Sequence, residues 1–234
     1  MGNDFFMDTY VIIVAGGKGV RMKSDVPKQF LEIGGMPVLL HTLHTFYTFN
    51  PRFHFIVVLP RTAGGLWKEI MKKQPQVIPH RVVAGGSTRA QSTLNGLAHV
   101  PPESMVAVHD GVRPLVSHAT LQRCLDTAME KGNAIPVWEI YESLRAIEEG
   151  KSKAIDRNRI RVVQTPQVFH ASLLKRAFEQ QGTEDFTDEA SMVEKLGIKI
   201  NLVEGNRENI KITDAFDLKL AEYLIHERSR VKIF

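Results

Sequence analysis

Short apolar, β-branched runs that alternate with stretches of helical periodicity predict an α/β fold with a mainly parallel sheet. A second observation agrees with the first: the residues directly after those runs are glycines, cations and an aspartate. In a doubly wound sheet ligands sit at the carboxyl ends of strands, so these post-strand residues are where a site is expected.

The apolar runs at 10–15, 53–59, 81–84, 105–109 and 134–137 are expected as strands, and 38–49, 87–99 and 121–131 as helices between them. A last helix is expected over 214–226, with Asp214 as its N-cap and Phe216, Leu220 and Leu224 on one stripe, flanked by Ala221 and Ile225. The alternation breaks over 139–164, where SLRAIEEGKSKAIDRNRIRVVQ has the pattern of two short strands around a charged, glycine-containing turn. An arm of this kind cannot bury both faces alone, so it is expected to protrude and to pack on a second subunit. The whole chain, 1–234, is expected to form a single domain carrying this arm.

A length of 234 residues allows one large domain with a real core. The hydrophobic fraction of 43% and charged fraction of 24% are those of an ordinary globular protein. The formal net charge of +4, from 30 basic and 26 acidic residues, is too balanced to mark a nucleic-acid binder. The single cysteine, Cys124, excludes an intrachain disulfide and a cysteine-based metal site, and is expected as a buried helix residue. The start MGNDFFMDTY lacks a cationic segment followed by an apolar run, and no stretch approaches the ~20 apolar residues of a membrane span. A cytoplasmic protein that binds neither nucleic acid nor membrane is therefore expected.

After the first strand stand Ala15, Gly16, Gly17 and Gly19, then Lys18, Arg21, Lys23 and Lys28. Glycine lets backbone amides approach a ligand without an intervening Cβ, and cations beside such a loop suit phosphate. Two familiar phosphate loops do not fit. Walker A requires Ser or Thr after Gly17-Lys18, where this chain has Gly19, and the dinucleotide fingerprint requires glycine at Met22 and an acid near Leu59-Pro60-Arg61. After the third strand Gly85-Gly86-Ser87-Thr88 opens a helix, with Ser87 as the expected cap. After the fourth come His109, Asp110 and Arg113: Asp110 is a candidate ligand for Mg²⁺, Arg113 a phosphate fork, and His109 a packing residue. Lys211 precedes the last helix and reads equally well as a solvated side chain.

Taken in order, AGGKGVRM, PKQF, GGSTRAQS, HDGVRP, DRN, QTPQVF, TDEAS and NIKIT span positions 15–213. This chain resembles the 2-C-methyl-D-erythritol 4-phosphate cytidylyltransferases of the non-mevalonate isoprenoid pathway. It departs from them at Ala15-Gly16-Gly17, where members often carry Ala-Ala-Gly, and at Gly111-Val112, where they carry Ala-Ala; Glu142-Ser143 stands for the usual Asp-Thr of the arm. The AGGKG spelling is also similar to that of ribitol 5-phosphate cytidylyltransferases, whereas TDEAS and DRN favour the first family.

The resemblance implies a Rossmann-like nucleotidyltransferase fold with helices on both faces of a twisted sheet, a homodimer joined through the arm, and a reaction between CTP and a polyol phosphate in the presence of Mg²⁺. It implies that Arg21, Lys28 and Lys211 stabilise the reacting α-phosphorus. Ala15, Gly16, Gly17, Gly19, Gly85, Gly86 and Ser92 would take the nucleotide, with Asp110 near the metal. Arg113, Ser143, Arg157, Thr165 and Thr187 would take the acceptor. Two other classes compete: a nucleotide-binding module without turnover, and an NAD-dependent oxidoreductase, which the missing glycine and acid already disfavour.

Overall fold

The computed structural model describes residues 7–16, 26–75, 77–183 and 186–230. Gly17, Gly19 and Arg21, and with them Lys18 and Lys23, lie outside the described residues.

Strand β1 (Thr9–Val14) is followed by a single 3-10 turn at Lys28–Phe30, the ribbon of β2 (Glu32–Ile33) and β3 (Met36–Pro37), and helix α1 (Val38–Phe49). Next come β4 (His54–Leu59), α2 (Gly64–Lys72), β5 (Arg81–Ala84), α3 (Arg89–Leu97), β6 (Met105–Asp110) and α4 (His118–Lys131). Strand β7 (Asn133–Glu139) leads into the hairpin of β8 (Leu144–Glu148) and β9 (Lys151–Ile155), and β10 (Arg161–Val163) and β11 (Gln167–His170) return to the sheet. The last described elements are α5 (Ala171–Gln181), α6 (Glu189–Glu194), β12 (Leu202–Glu204) and α7 (Ala215–Arg230). No helix among the described residues is long and apolar enough to cross a membrane.

The main sheet has the order β10-β7-β11-β6-β1-β4-β5, with β12 also on β7. The block β6-β1-β4-β5 is parallel, and β11 joins it antiparallel to both β6 and β7. A parallel strand covered on both faces is apolar throughout, which explains why VIIV of β1 shows no alternation. Val11 and Ile13 pack into one core with Leu39, Leu43 and Phe46, and Ile12 and Val14 into another with Leu97, Phe169 and Leu174. A third cluster joins Ile33 and Val38 to Val112, Leu115, Ile212 and Ala221, so α7 holds the 209–213 segment against the loop after β6.

All five expected strands form, as do the four helices, with two local differences. Helix α3 begins at Arg89, with Thr88 as its N-cap in place of Ser87: the Thr88 hydroxyl accepts the Gln91 amide. Helix α7 is capped by Asp214, whose carboxylate accepts the amides of Phe216 and Asp217. Its buried face is turned from the expected stripe, because Leu218, Ala221, Leu224 and Ile225 pack inward while Phe216 is 73% exposed. With apolar residues nearly all round this helix, periodicity alone could not select the face.

The free hairpin is 144–155, and its turn places Glu149 and Gly150 at φ 48° and 77°, the left-handed geometry that matches strand twist. The ends of the expected arm belong to the sheet: Arg161 pairs with Glu139 and Val163 with Val137. Backbone hydrogen bonds to β7 hold them there.

Candidate active site

The chain leaves β1 toward β4 and β5 on one side and returns to β6 on the other, so the sheet reverses its winding at β1. Crevices form at the carboxyl ends of strands at such a point. Register places Val14 beside Asp110, and the residues that follow each strand therefore face one another across a cleft of about 530 Å³.

One wall is backbone. Ser92, 2% exposed, accepts the Gly86 amide at 3.1 Å and donates to the Thr88 carbonyl at 2.9 Å. A Cβ on Gly16 or on Gly85 would stand 3.0 Å from this same hydroxyl. Glycine at both positions keeps the wall open and lets Ser92 stitch it together.

The opposite side is charged. Asp110, 5% exposed, receives Arg89 Nε on Oδ1 at 3.2 Å, and Arg113 Nε and Lys211 Nζ on Oδ2 at 3.2 and 3.0 Å. Burial alone would raise the Asp110 pKa, but Arg89, Lys211 and Arg113 hold it well below the usual carboxylate range. Arg89 also meets Glu189 Oε1 at 2.7 Å, and Thr93 donates to that oxygen at 2.8 Å. Burial lowers the Arg89 pKa, and the Glu189 and Asp110 carboxylates more than offset it. Lys28 reaches the same region, donating to the Ile212 carbonyl at 3.1 Å, and its neighbour Gln29 donates to the Ala15 carbonyl at 2.9 Å.

The structure thus brings together Ala15, Gly16, Lys28, Gly85, Gly86, Ser92, Asp110, Arg113, Thr165 and Lys211. Thr165 is buried and accepts the Asp110 amide at 3.1 Å. Thr187 is exposed just before the Asp188 cap of α6. Ser143 and Arg157 are exposed on and beside the hairpin and are not among the residues lining the cleft of their own chain. Sequence reasoning did not single out Arg89 or Glu189, although both lie inside GGSTRAQS and TDEAS. Nothing local marks a glutamate three residues into TDEAS as the buried partner of a distant arginine.

A divalent cation fits this donor set, among the described residues, through Asp110. Among the described residues no group of three His, Cys, Asp or Glu could hold a metal. Asp110 Oδ1, with one hydrogen bond among the described contacts, retains a lone pair for a cation held mainly by the phosphates of its ligand, the usual situation of Mg²⁺.

Cations gathered around one carboxylate suit an anionic ligand, and the glycine-lined backbone wall beside them leaves room for the base and sugar that carry it. A switch-point cleft of this chemistry, without a Walker lysine or a hydride-carrier fingerprint, suits a nucleotidyltransferase. The IspD family model, described as 2-C-methyl-D-erythritol 4-phosphate cytidylyltransferase, matches residues 9–227. Proteins of that name from Phocaeicola vulgatus and Bacteroides fragilis are 48% and 50% identical over 219 and 214 residues, covering 94% and 92% of this chain and 100% and 98% of theirs. The crystal structure of the cytidylyltransferase from Thermus thermophilus superposes with a TM-score of 0.77 at 34% identity, over 94% of this chain and 100% of that one. The chain belongs to the 2-C-methyl-D-erythritol 4-phosphate cytidylyltransferase family.

Proposed function

We propose that the cleft transfers CMP from CTP to 2-C-methyl-D-erythritol 4-phosphate, giving 4-diphosphocytidyl-2-C-methyl-D-erythritol and pyrophosphate in non-mevalonate isoprenoid biosynthesis. The observation that carries this reading is the convergence of Arg89, Arg113 and Lys211 on Asp110, with Lys28 close by, at the sheet's switch point.

An acceptor phosphate oxygen attacks the α-phosphorus in line, a new P–O bond forms, and the bond to the β-phosphate breaks with the electron pair leaving on pyrophosphate. Both reactants are anions, so positioning and charge cancellation supply most of the catalysis. Lys28 and Lys211, together with Arg21 from outside the described residues, stabilise the five-coordinate phosphorus. The wall of Ala15, Gly16, Gly85, Gly86 and Ser92, continued by Gly17 and Gly19, takes cytosine and ribose. Ser92 has already given its proton to Thr88, so toward a ligand it acts as an acceptor. Arg113 and Thr187 hold the acceptor's phosphate, and Thr165, whose hydroxyl proton lies toward His109 Nδ1, offers the acceptor's own hydroxyls a lone pair. A Mg²⁺ arriving with CTP would neutralise its phosphates, with Asp110 as the carboxylate that faces it among the described residues.

The chain works as one catalytic unit, and its arm completes the site of a second copy through Ser143 and Arg157. Supporting this, Tyr141, Ile147 and Val162 on or beside the arm are 57%, 69% and 46% exposed, and a two-stranded hairpin is marginal by itself. The single cysteine is buried, its thiol pushed up to about 12 by burial, which suits a reducing cytoplasm.

Pyrophosphate release from CTP and Mg²⁺ with 2-C-methyl-D-erythritol 4-phosphate, and in parallel with ribitol 5-phosphate, tests the reading. Release with the first acceptor alone is expected. Release only with the second keeps the mechanism and changes the substrate, and binding of CTP without release in either tube makes the chain a non-catalytic module.

A further inference from the structure

Two wholly buried polar residues, His109 and Asn209, have no role in the reaction as set out so far. Asn209 Nδ2 donates to the Thr165 carbonyl at 2.9 Å and to Gln164 Oε1 at 3.3 Å, while the Asn209 backbone carbonyl accepts Arg113 Nη1 at 2.8 Å. His109 Nε2 lies 3.0 Å from the Arg113 carbonyl. A carbonyl only accepts, so this nitrogen carries the proton. Burial holds the ring neutral, its pKa pushed down to about 4, and Nδ1 is then an acceptor for the Thr165 hydroxyl at 3.0 Å. The links close into a ring running His109, Thr165, Asn209, Arg113 and back to His109.

The ring joins the loop after β6, the turn before β11 and the segment before α7, which come from three distant parts of the chain. Each carries a side chain assigned above to the acceptor or the α-phosphate: Arg113, Thr165 and Lys211. None of its bonds reaches the glycine wall. We infer that His109 and Asn209 are positioning residues that fix the spacing of Arg113 and Lys211 from Thr165, and so the width of the seat for the acceptor. The inference rests on the acceptor assignment made under the proposed function. Its physical basis is preorganisation: a displacement of about 1 Å in a group that orients a reactant can cost on the order of a hundredfold in rate.

Steady-state kinetics of Asn209→Ala, with each substrate varied in turn, tests this. The KM for the acceptor phosphate is expected to rise about tenfold to a hundredfold while that for CTP stays within about twofold. His109→Gln retains a donor toward the Arg113 carbonyl and loses the acceptor for Thr165; it is expected to show the same split in smaller measure. A residue that only supports the fold would lower Tm and the active fraction, and leave both KM values where they were. Unchanged KM values in a folded variant overturn the inference, as does failure of both variants to fold, since the ring would then be general support. The wild-type protein run alongside separates two failures: normal wild-type turnover with unaltered variant KM values sinks the ring alone, whereas no pyrophosphate from wild type sinks the reaction and the ring with it.

Discussion

Lys211 Nζ lies 3.0 Å from Asp110 Oδ2, which also receives Arg113, so one carboxylate oxygen orients two cations. The Lys211 side chain keeps 40% of its surface exposed, leaving it able to serve a ligand without unfolding the protein when removed. Lys211→Met is therefore expected to retain a near-normal Tm and lose roughly 10² to 10³ in kcat, the usual cost of one preorganised charge-stabilising group. A variant with near-normal turnover would take Lys211 out of the mechanism.

Lys28 reaches the same region, donating to the carbonyl of Ile212, the residue next to Lys211. Lys28→Met is expected to fall by a similar factor of about 10² or more. The protein should stay folded, because the buried anchor of that turn is Gln29 on the Ala15 carbonyl. Circular dichroism beside the turnover assay distinguishes lost chemistry from lost structure.

Ser92→Ala would leave the Gly86 amide without its acceptor, while the Thr88 carbonyl keeps the backbone amide of residue 92. A stability loss of about 0.5–1.5 kcal/mol is expected for one hydrogen bond lost at a part-buried site. A rise in the KM for CTP, with that for the acceptor little changed, is expected alongside it, the mirror image of Asn209→Ala. A denaturant melt and CTP titrations check both halves.

His109 sets a pH dependence whose sign follows from its neutrality in the fold. Burial is the main cause of its depressed pKa; the hydrogen bond to the Arg113 carbonyl and the Asp110 charge oppose it, and the Arg113 and Arg89 charges add to it. A folded value of about 4 below an unfolded 6.5 means that its contribution, about 3 kcal/mol, is present above pH 6.5 and lost as pH falls from 6.5 to 4. His41 and His80 are lowered by burial as well and act in the same direction. Asp110, held below its ordinary range, loses its contribution only under more acidic conditions. The stability of His109→Gln should consequently fall less steeply than that of wild type between pH 6.5 and 4.5; parallel curves from chemical denaturation would refute the neutral imidazole.

Ile147, 69% exposed on the hairpin, is expected to be covered by a second copy. Ile147→Lys should shift the protein toward the monomer in sedimentation and reduce turnover, because Ser143 and Arg157 would no longer reach a partner's cleft. A wild-type protein that sediments as a monomer at assay concentration and still turns over would remove the arm from catalysis.

Most of the framework was legible in the sequence because its signals are local. A run such as VIIV in Tyr10–Val14 can be buried on both faces only in a covered strand, glycine after it marks a close approach, and Asp214 caps the helix that follows it. Family motifs extended this to Lys28, Asp110, Thr165 and Lys211 by position. What periodicity could not supply was the buried face of α7, where apolar residues occur on several sides, nor the short β11 and β12, whose few residues carry little pattern.

By itself, the sequence determined the α/β class, the order of the strands and helices expected along the chain, and the glycine- and cation-rich loops that must follow the strands, since each depends on neighbours within a few residues. Only the tertiary structure decided which charges neutralise one another. Asp110 draws Arg89, Arg113 and Lys211 together, Arg89 is shared with Glu189, and His109 and Asn209 lock the intervening loops. These pairings form between strand ends that the sheet brings side by side from distant parts of the chain, and their strength depends on burial, which exists only once the layers have packed.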